Sequence, residues 1–211
     1  MGLLQIFNGF GGTRADSPGG HNGNRARAEE HIAQGIELAM REQLTEALAE
    51  FKKAAARCPQ MAEAHFNLGL TCAKLQRHPD AVAAFNKAVA ADPEYVEAHH
   101  NLGLAYFALG KHVEAISAFL AAIRLRRDCV EALHSLGEVY DKFGDDKQAF
   151  KAWHRAIAVK SDYVPAYCSL IRLYTDRKEK QHALRVCESL MHIDAAEATK
   201  LHNYVLSTLK A

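Results

Sequence analysis

Apolar and small residues recur along most of this chain on two periods at once. Within stretches of about a dozen residues they return every three or four positions, as expected of helices with one buried face. Over longer range the whole pattern returns every 34 residues, without insertion, from Ala28 to Glu197. Five copies begin at Ala28, Ala62, Val96, Val130 and Val164. Each predicts a helix, a tight turn and a second helix. The eighth position of the copies reads Gly35, Gly69, Gly103, Gly137 and Ile171, and the twentieth is Ala47, Ala81, Ala115, Ala149 and Ala183. The twenty-fourth is Phe51, Phe85, Phe119, Trp153 and Cys187; the twenty-seventh is Ala54, Ala88, Ala122, Ala156 and Leu190.

Glycine at the eighth position and alanine at the twentieth put no bulk where the two helices of a copy cross, so their backbones can approach. A large ring at the twenty-fourth fills the space between copies, and a small twenty-seventh residue admits the next helix. Pro59 and Pro93 end the second helix of the first two copies, where later copies have Arg127, Ser161 and Ala195. Departures collect at the two ends: His31 and Gln34 in the first copy, Ile171, Cys187 and Leu190 in the fifth. Beyond Glu197, Leu201, Val205 and Leu209 form one stripe of a further helix.

The middle copy, Val96 to Cys129, carries Leu102-Gly103, Tyr106, Ala115, Phe119 and Ala122. In that spacing it resembles the tetratricopeptide repeat, and its neighbours repeat the resemblance. The expected organisation is a flexible Gly/Asn-rich tail over 1–27 and five repeats at 28–61, 62–95, 96–129, 130–163 and 164–197. A capping helix over 198–211 closes the chain. The resemblance implies an all-α fold, a right-handed α-α superhelix (a TPR solenoid) with a disordered N-terminal tail. Its concave groove would bind an extended peptide or a partner's helix.

Composition narrows the reading. A net charge of +1 gives no general attraction to nucleic acid, and no apolar run is long enough to span a bilayer. The five cysteines are dispersed and odd in number, which favours a reducing, cytoplasmic setting. Seven of the thirteen glycines fall in the first 27 residues, a composition unable to bury enough apolar area to order itself. Within that tail, Leu3, Leu4, Ile6, Phe7 and Phe10 are apolar. No basic residue precedes them and no cleavage site follows, against a secretory signal. Ile6 stands where a myristoylation motif wants Ser or Thr, and Asp16 and the glycines count against a transit peptide.

At about 100° per residue, positions two, five, six, nine, twelve and thirteen of each first helix face away from the packing side. The resulting candidates are Ile32 and Ile36 in copy one, then Phe66, Asn67 and Leu70 in copy two. Copy three adds His100, Asn101, Leu104 and Phe107, and copy four His134, Ser135 and Glu138. The face is expected to be apolar toward the N-terminal copies and charged toward the C-terminal ones. Apolar residues opposite a packed face suit a binding surface, unless curvature or the tail covers them. Asn67 and Asn101, followed in register by Ser135 and Ser169, resemble in part the asparagine ladder of O-GlcNAc transferase. A side-chain amide can pair with both groups of a peptide backbone. The carboxylate clamp of chaperone-binding repeats is missing, because Ile32, Ile36, Phe66 and Leu70 occupy its positions.

Glu29, Glu63, Glu97 and Glu131 recur at the second position, either as an acidic rim or as first-turn carboxylates favoured by the helix dipole. His31, His65 and His99 share the fourth position. Copies set one helix spacing apart do not converge on a metal, so these histidines are expected to be packed and hydrogen-bonded. No glycine-rich phosphate loop, nucleophile elbow or H-E-x-x-H motif is present. The expectation is a non-enzymatic scaffold or adaptor, without cofactor or metal, that binds a protein or peptide. The alternative is an accessory subunit of an enzyme or membrane-associated assembly, with the apolar N-terminal segment serving docking or self-association.

Overall fold

A computed structural model describes residues 22–209, and the expectations for the preceding apolar segment lie outside them. Among the described residues there are eleven helices and no strand. They divide into two compact units, one ending at Lys111 and the other beginning at His112.

The first unit holds α1 (Asn22–Met40), α2 (Leu44–Arg57), α3 (Ala62–Lys74), α4 (His78–Ala91) and α5 (Val96–Ala108). α1 begins inside the segment expected to be tail. An Arg25–Glu29 pair at 3.1 Å, one helical turn apart, supports that extension. The second unit holds α6 (His112–Leu125), α7 (Val130–Phe143), α8 (Asp146–Val159), α9 (Val164–Asp176), α10 (Lys180–Met191) and α11 (Ala195–Thr208).

The reason for glycine at the eighth position is more specific than a close helix crossing. A Cβ built on Gly35 would lie 2.6 Å from the Phe51 ring, and one on Gly69 2.6 Å from the Phe85 ring. On Gly137 it would lie 2.3 Å from Nε1 of Trp153. The glycine therefore makes room for the ring at position twenty-four of its own copy. Trp153 also donates its indole N–H to the His134 carbonyl at 3.1 Å, so its one polar atom is satisfied. In the last copy Ile171 and Cys187 are both fully buried in one cluster with Leu190, Leu201 and Val205, and α11 covers that cluster.

Every copy turns in the same way. The fifteenth residue has positive φ in all five: Glu42 (62°), Gln76 (59°), Gly110 (71°), Gly144 (83°) and Lys178 (62°). The next residue's N–H bonds back to the carbonyl at position eleven, as in Gln43 to Leu38, Arg77 to Cys72 and Asp145 to Tyr140, each at 2.9 Å. This is the left-handed helix stop whose back-bonds satisfy the last carbonyls.

Junctions between copies carry a second recurring bond. His65 Nε2 donates to the Pro59 carbonyl at 2.9 Å and His99 Nε2 to the Pro93 carbonyl at 3.0 Å. Tyr167 Oη donates to the Ser161 carbonyl at 2.9 Å. Leu133 has no donor to offer, and there Arg155 reaches the Arg127 carbonyl at 3.3 Å. In the first copy His31 pairs instead with Glu50 at 2.7 Å.

Candidate interaction surface

In the first unit, the outward-facing positions of α1, α3 and α5 are unevenly covered. Ile32, Phe66, Asn67 and Leu70 are buried, with Phe66 at 6% and Asn67 at 3% exposure. Ile36, His100, Asn101 and Phe107 are half-buried, and Leu104 is exposed at 37%. The apolar residues expected here are thus covered at Ile32, Phe66 and Leu70 and part-open at Ile36, Leu104 and Phe107. For Phe66 the reason is Tyr95, whose ring lies 4.8 Å from it, with the Phe85 ring at 5.8 Å on another side. Burial pushes the Tyr95 phenol well above its ordinary range, and the nearby carboxylates Glu63, Glu97 and Asp92 push it further.

The two asparagines of the ladder differ. Asn101 Nδ2 donates to the Glu97 carbonyl of its own helix at 2.8 Å. Asn67 engages the chain through its backbone carbonyl, which accepts from Thr71 Oγ1 at 2.8 Å. Its side-chain amide makes no hydrogen bond among the described residues and is not sealed from solvent.

In the second unit, α7 presents His134, Ser135 and Glu138. His134 Nε2 meets Ser169 Oγ at 3.1 Å, its Nδ1 lies 3.9 Å from Glu138, and the Tyr163 ring packs edge-on at 5.6 Å. Burial lowers the His134 pKa, against the opposing pull of Glu138. Ser135 is buried. Tyr163 is pushed up to about 12, by burial and then by Glu131 and Glu138. Tyr95 and Tyr163 hold the same last position of their copies and close over the fifth-position side chain in each. Sequence reasoning missed both, although tyrosine recurring in register was a visible signal.

The acidic row divides as well. Glu63, Glu97 and Glu131 lie in the first turns of α3, α5 and α7, where the helix dipole favours a carboxylate. Glu29 does not, because α1 starts earlier, and its partner is Arg25. Desolvation and then the Glu29 charge raise the Glu63 pKa. His31, His65 and His99 go to three separate oxygen partners. Burial pushes the Cys72, Cys168 and Cys187 thiols up, away from the thiolate that nucleophilic chemistry needs. Among the described residues no group of three or more His, Cys, Asp or Glu could hold a metal ion, and no helix is long and apolar enough to cross a membrane.

Comparison with known proteins agrees with the repeat geometry. No curated protein matches the chain. Among solved structures, MamA superposes with a TM-score of 0.72 at 26% identity, covering 78% of this chain and 96% of its own. PilF of Pseudomonas aeruginosa gives 0.74 at 18% identity, covering 89% and 86%. YrrB, described as a TPR protein with an unusual peptide-binding site, gives 0.69 at 19% identity, covering 88% and 95%. The last two likenesses concern the fold alone. Proteins of this repeat class are in general non-enzymatic scaffolds for protein–protein interaction. A model of the tetratricopeptide repeat matches residues 32–96, 74–128 and 100–165, and with the turns, glycine–ring pairs and junction bonds above it places this chain in the tetratricopeptide repeat family.

Proposed function

We propose that this chain is a scaffold that holds a peptide or helix of a partner protein against the outward positions of its first helices. One observation carries the reading. Asn67 sits on that face, is 3% exposed, and leaves its side-chain amide without a partner among the described residues. An amide in that state offers one donor and one acceptor, the pair that an extended backbone requires. The amide atoms of Asn67 are not sealed from solvent, so a peptide backbone can reach them. Leu104 and half-buried Ile36 and Phe107 supply apolar contact beside it, and the unusual peptide-binding site ascribed to YrrB lends support by likeness of fold.

The test uses peptides selected from a random display library on the full chain, with affinities measured by calorimetry. Asn67→Ala should weaken the selected peptides about tenfold while leaving the melting temperature unchanged. Asn101→Ala, whose amide is already engaged, should weaken them less. Equal affinity of wild type and Asn67→Ala would overturn the assignment.

A further inference from the structure

A cavity of about 730 Å³ opens in the first unit between α2, the following loop, α3 and α4. It lies away from the face just described. His65 and Leu68, its contributions from α3, are roughly opposite Phe66, Asn67 and Leu70 at about 100° per residue. Alanines of α2 and α4 give it an apolar wall, and Gln60, Lys52 and Lys87 give it polar ones. No carboxylate lines it.

The two lysines are unneutralised. Lys53, next along α2, is held by Glu50 at 2.6 Å, whereas among the described residues neither Lys52 nor Lys87 has an acidic partner. Two ammonium groups at one apolar-walled cavity without a carboxylate set up a local positive potential that favours anions. His65, 6% exposed, adds a second feature. Its Nε2 must carry the proton that it gives to the Pro59 carbonyl, so in the neutral ring Nδ1 is an acceptor. That nitrogen is buried and has no donor among the described residues.

We propose that this cavity is a second binding site, for an acidic peptide segment. Glutamate or aspartate side chains pair with Lys52 and Lys87, the alanine wall takes the apolar part of the segment, and a backbone N–H of the peptide donates to His65 Nδ1. A free inorganic anion is a poorer occupant. The volume is that of a site for a drug-sized ligand or a few residues of chain, and a fully deprotonated anion brings no donor for Nδ1.

The experiment is a titration of the ¹⁵N-labelled full chain with a hexaglutamate peptide blocked at both ends, beside a blocked hexalysine peptide and inorganic phosphate at matched ionic strength. The acidic peptide should bind saturably and shift the amides of Gln60, Ala55 and Ala90, and the basic peptide should not. Lys52→Glu with Lys87→Glu should weaken it at least tenfold, while Lys53→Glu changes affinity less than twofold. Asn67→Ala should leave this binding intact, which separates the site from the face proposed above. Unchanged affinity in the double variant, an equal loss with Lys53→Glu, or phosphate binding as tightly as the peptide would each overturn the proposal.

Discussion

The fourth and fifth helix pairs, both in the second unit, solve one packing problem with opposite distributions of bulk. In the fourth, α7 gives up its side chain at Gly137 and α8 fills the space with Trp153. In the fifth, α9 supplies Ile171 and α10 retreats to Cys187, and both are fully buried. The turns differ in parallel: Gly144 takes the left-handed position in the fourth pair and Lys178 in the fifth. What looks in sequence like decay at the end of an array is therefore a compensated exchange. The interior constrains the sum of two volumes more tightly than either residue.

The largest effect comes from removing the ring. Trp153→Ala should cost about 4 kcal/mol in urea unfolding, since it empties a closed site and leaves Gly137 facing the hole. A loss under about 1 kcal/mol would mean that the ring is not the filler. Gly137→Ala should cost about 3 kcal/mol, because the added methyl meets Trp153 at 2.3 Å. The exchange itself can be tested by writing the fifth solution into the fourth pair. Gly137→Ile with Trp153→Cys should be at least about 1 kcal/mol more stable than the two single losses added together. Strict additivity would show that the two positions do not share one space.

The turns offer a smaller contrast of opposite sign. Gly144→Ala should cost about 1 kcal/mol, because a Cβ is disfavoured at φ 83°. Lys178→Gly relieves the same penalty and should leave the fifth pair no less stable, with a gain of up to about 1 kcal/mol by thermal melting. A clear loss there would show that Lys178 contributes more than its backbone strain costs. The smallest effect is one of pH. Burial holds His134 below its ordinary 6.5 in the folded state, so the unfolded chain binds the proton more readily. Stability is then full above about pH 6.5 and falls as pH drops toward the folded pKa. His134→Gln should flatten that slope in denaturant titrations, and an unaltered slope would assign it to another group.

Much of this was legible in the sequence, because positions eight, twenty, twenty-four and twenty-seven are constrained by packing within a copy and against its neighbour. The stripe of the last helix was equally plain, and Leu201 and Val205 are buried beneath it as helical periodicity requires. The turn was harder to see. All five copies stop at one left-handed residue, but only Gly110 and Gly144 advertise it, and Glu42, Gln76 and Lys178 do not. The outward face was read from helical angle alone, which says nothing of exposure. Helical angle places Phe66 opposite the packing side, yet its burial depends on Tyr95, which stands outside α3 at the start of α5. A wheel drawn for one helix contains no information about the residue that folds over it. The lysine-walled cavity escaped for a related reason: Lys52, His65 and Lys87 meet only when second helices of adjacent copies are laid beside α3.

The junction bond has a consequence for how such a chain can grow. His65, His99 and Tyr167 each reach back six residues to the carbonyl of the loop just before their own helix. The lock between neighbours is thus encoded within a few residues of the joint it secures. A duplicated block of 34 residues that includes the preceding loop carries its own fastening with it, whatever lies on either side. Where the donor is lost, as at Leu133, an arginine from the second helix of the same pair takes over the loop carbonyl. Length in this architecture can change by whole copies while each joint keeps its fastening.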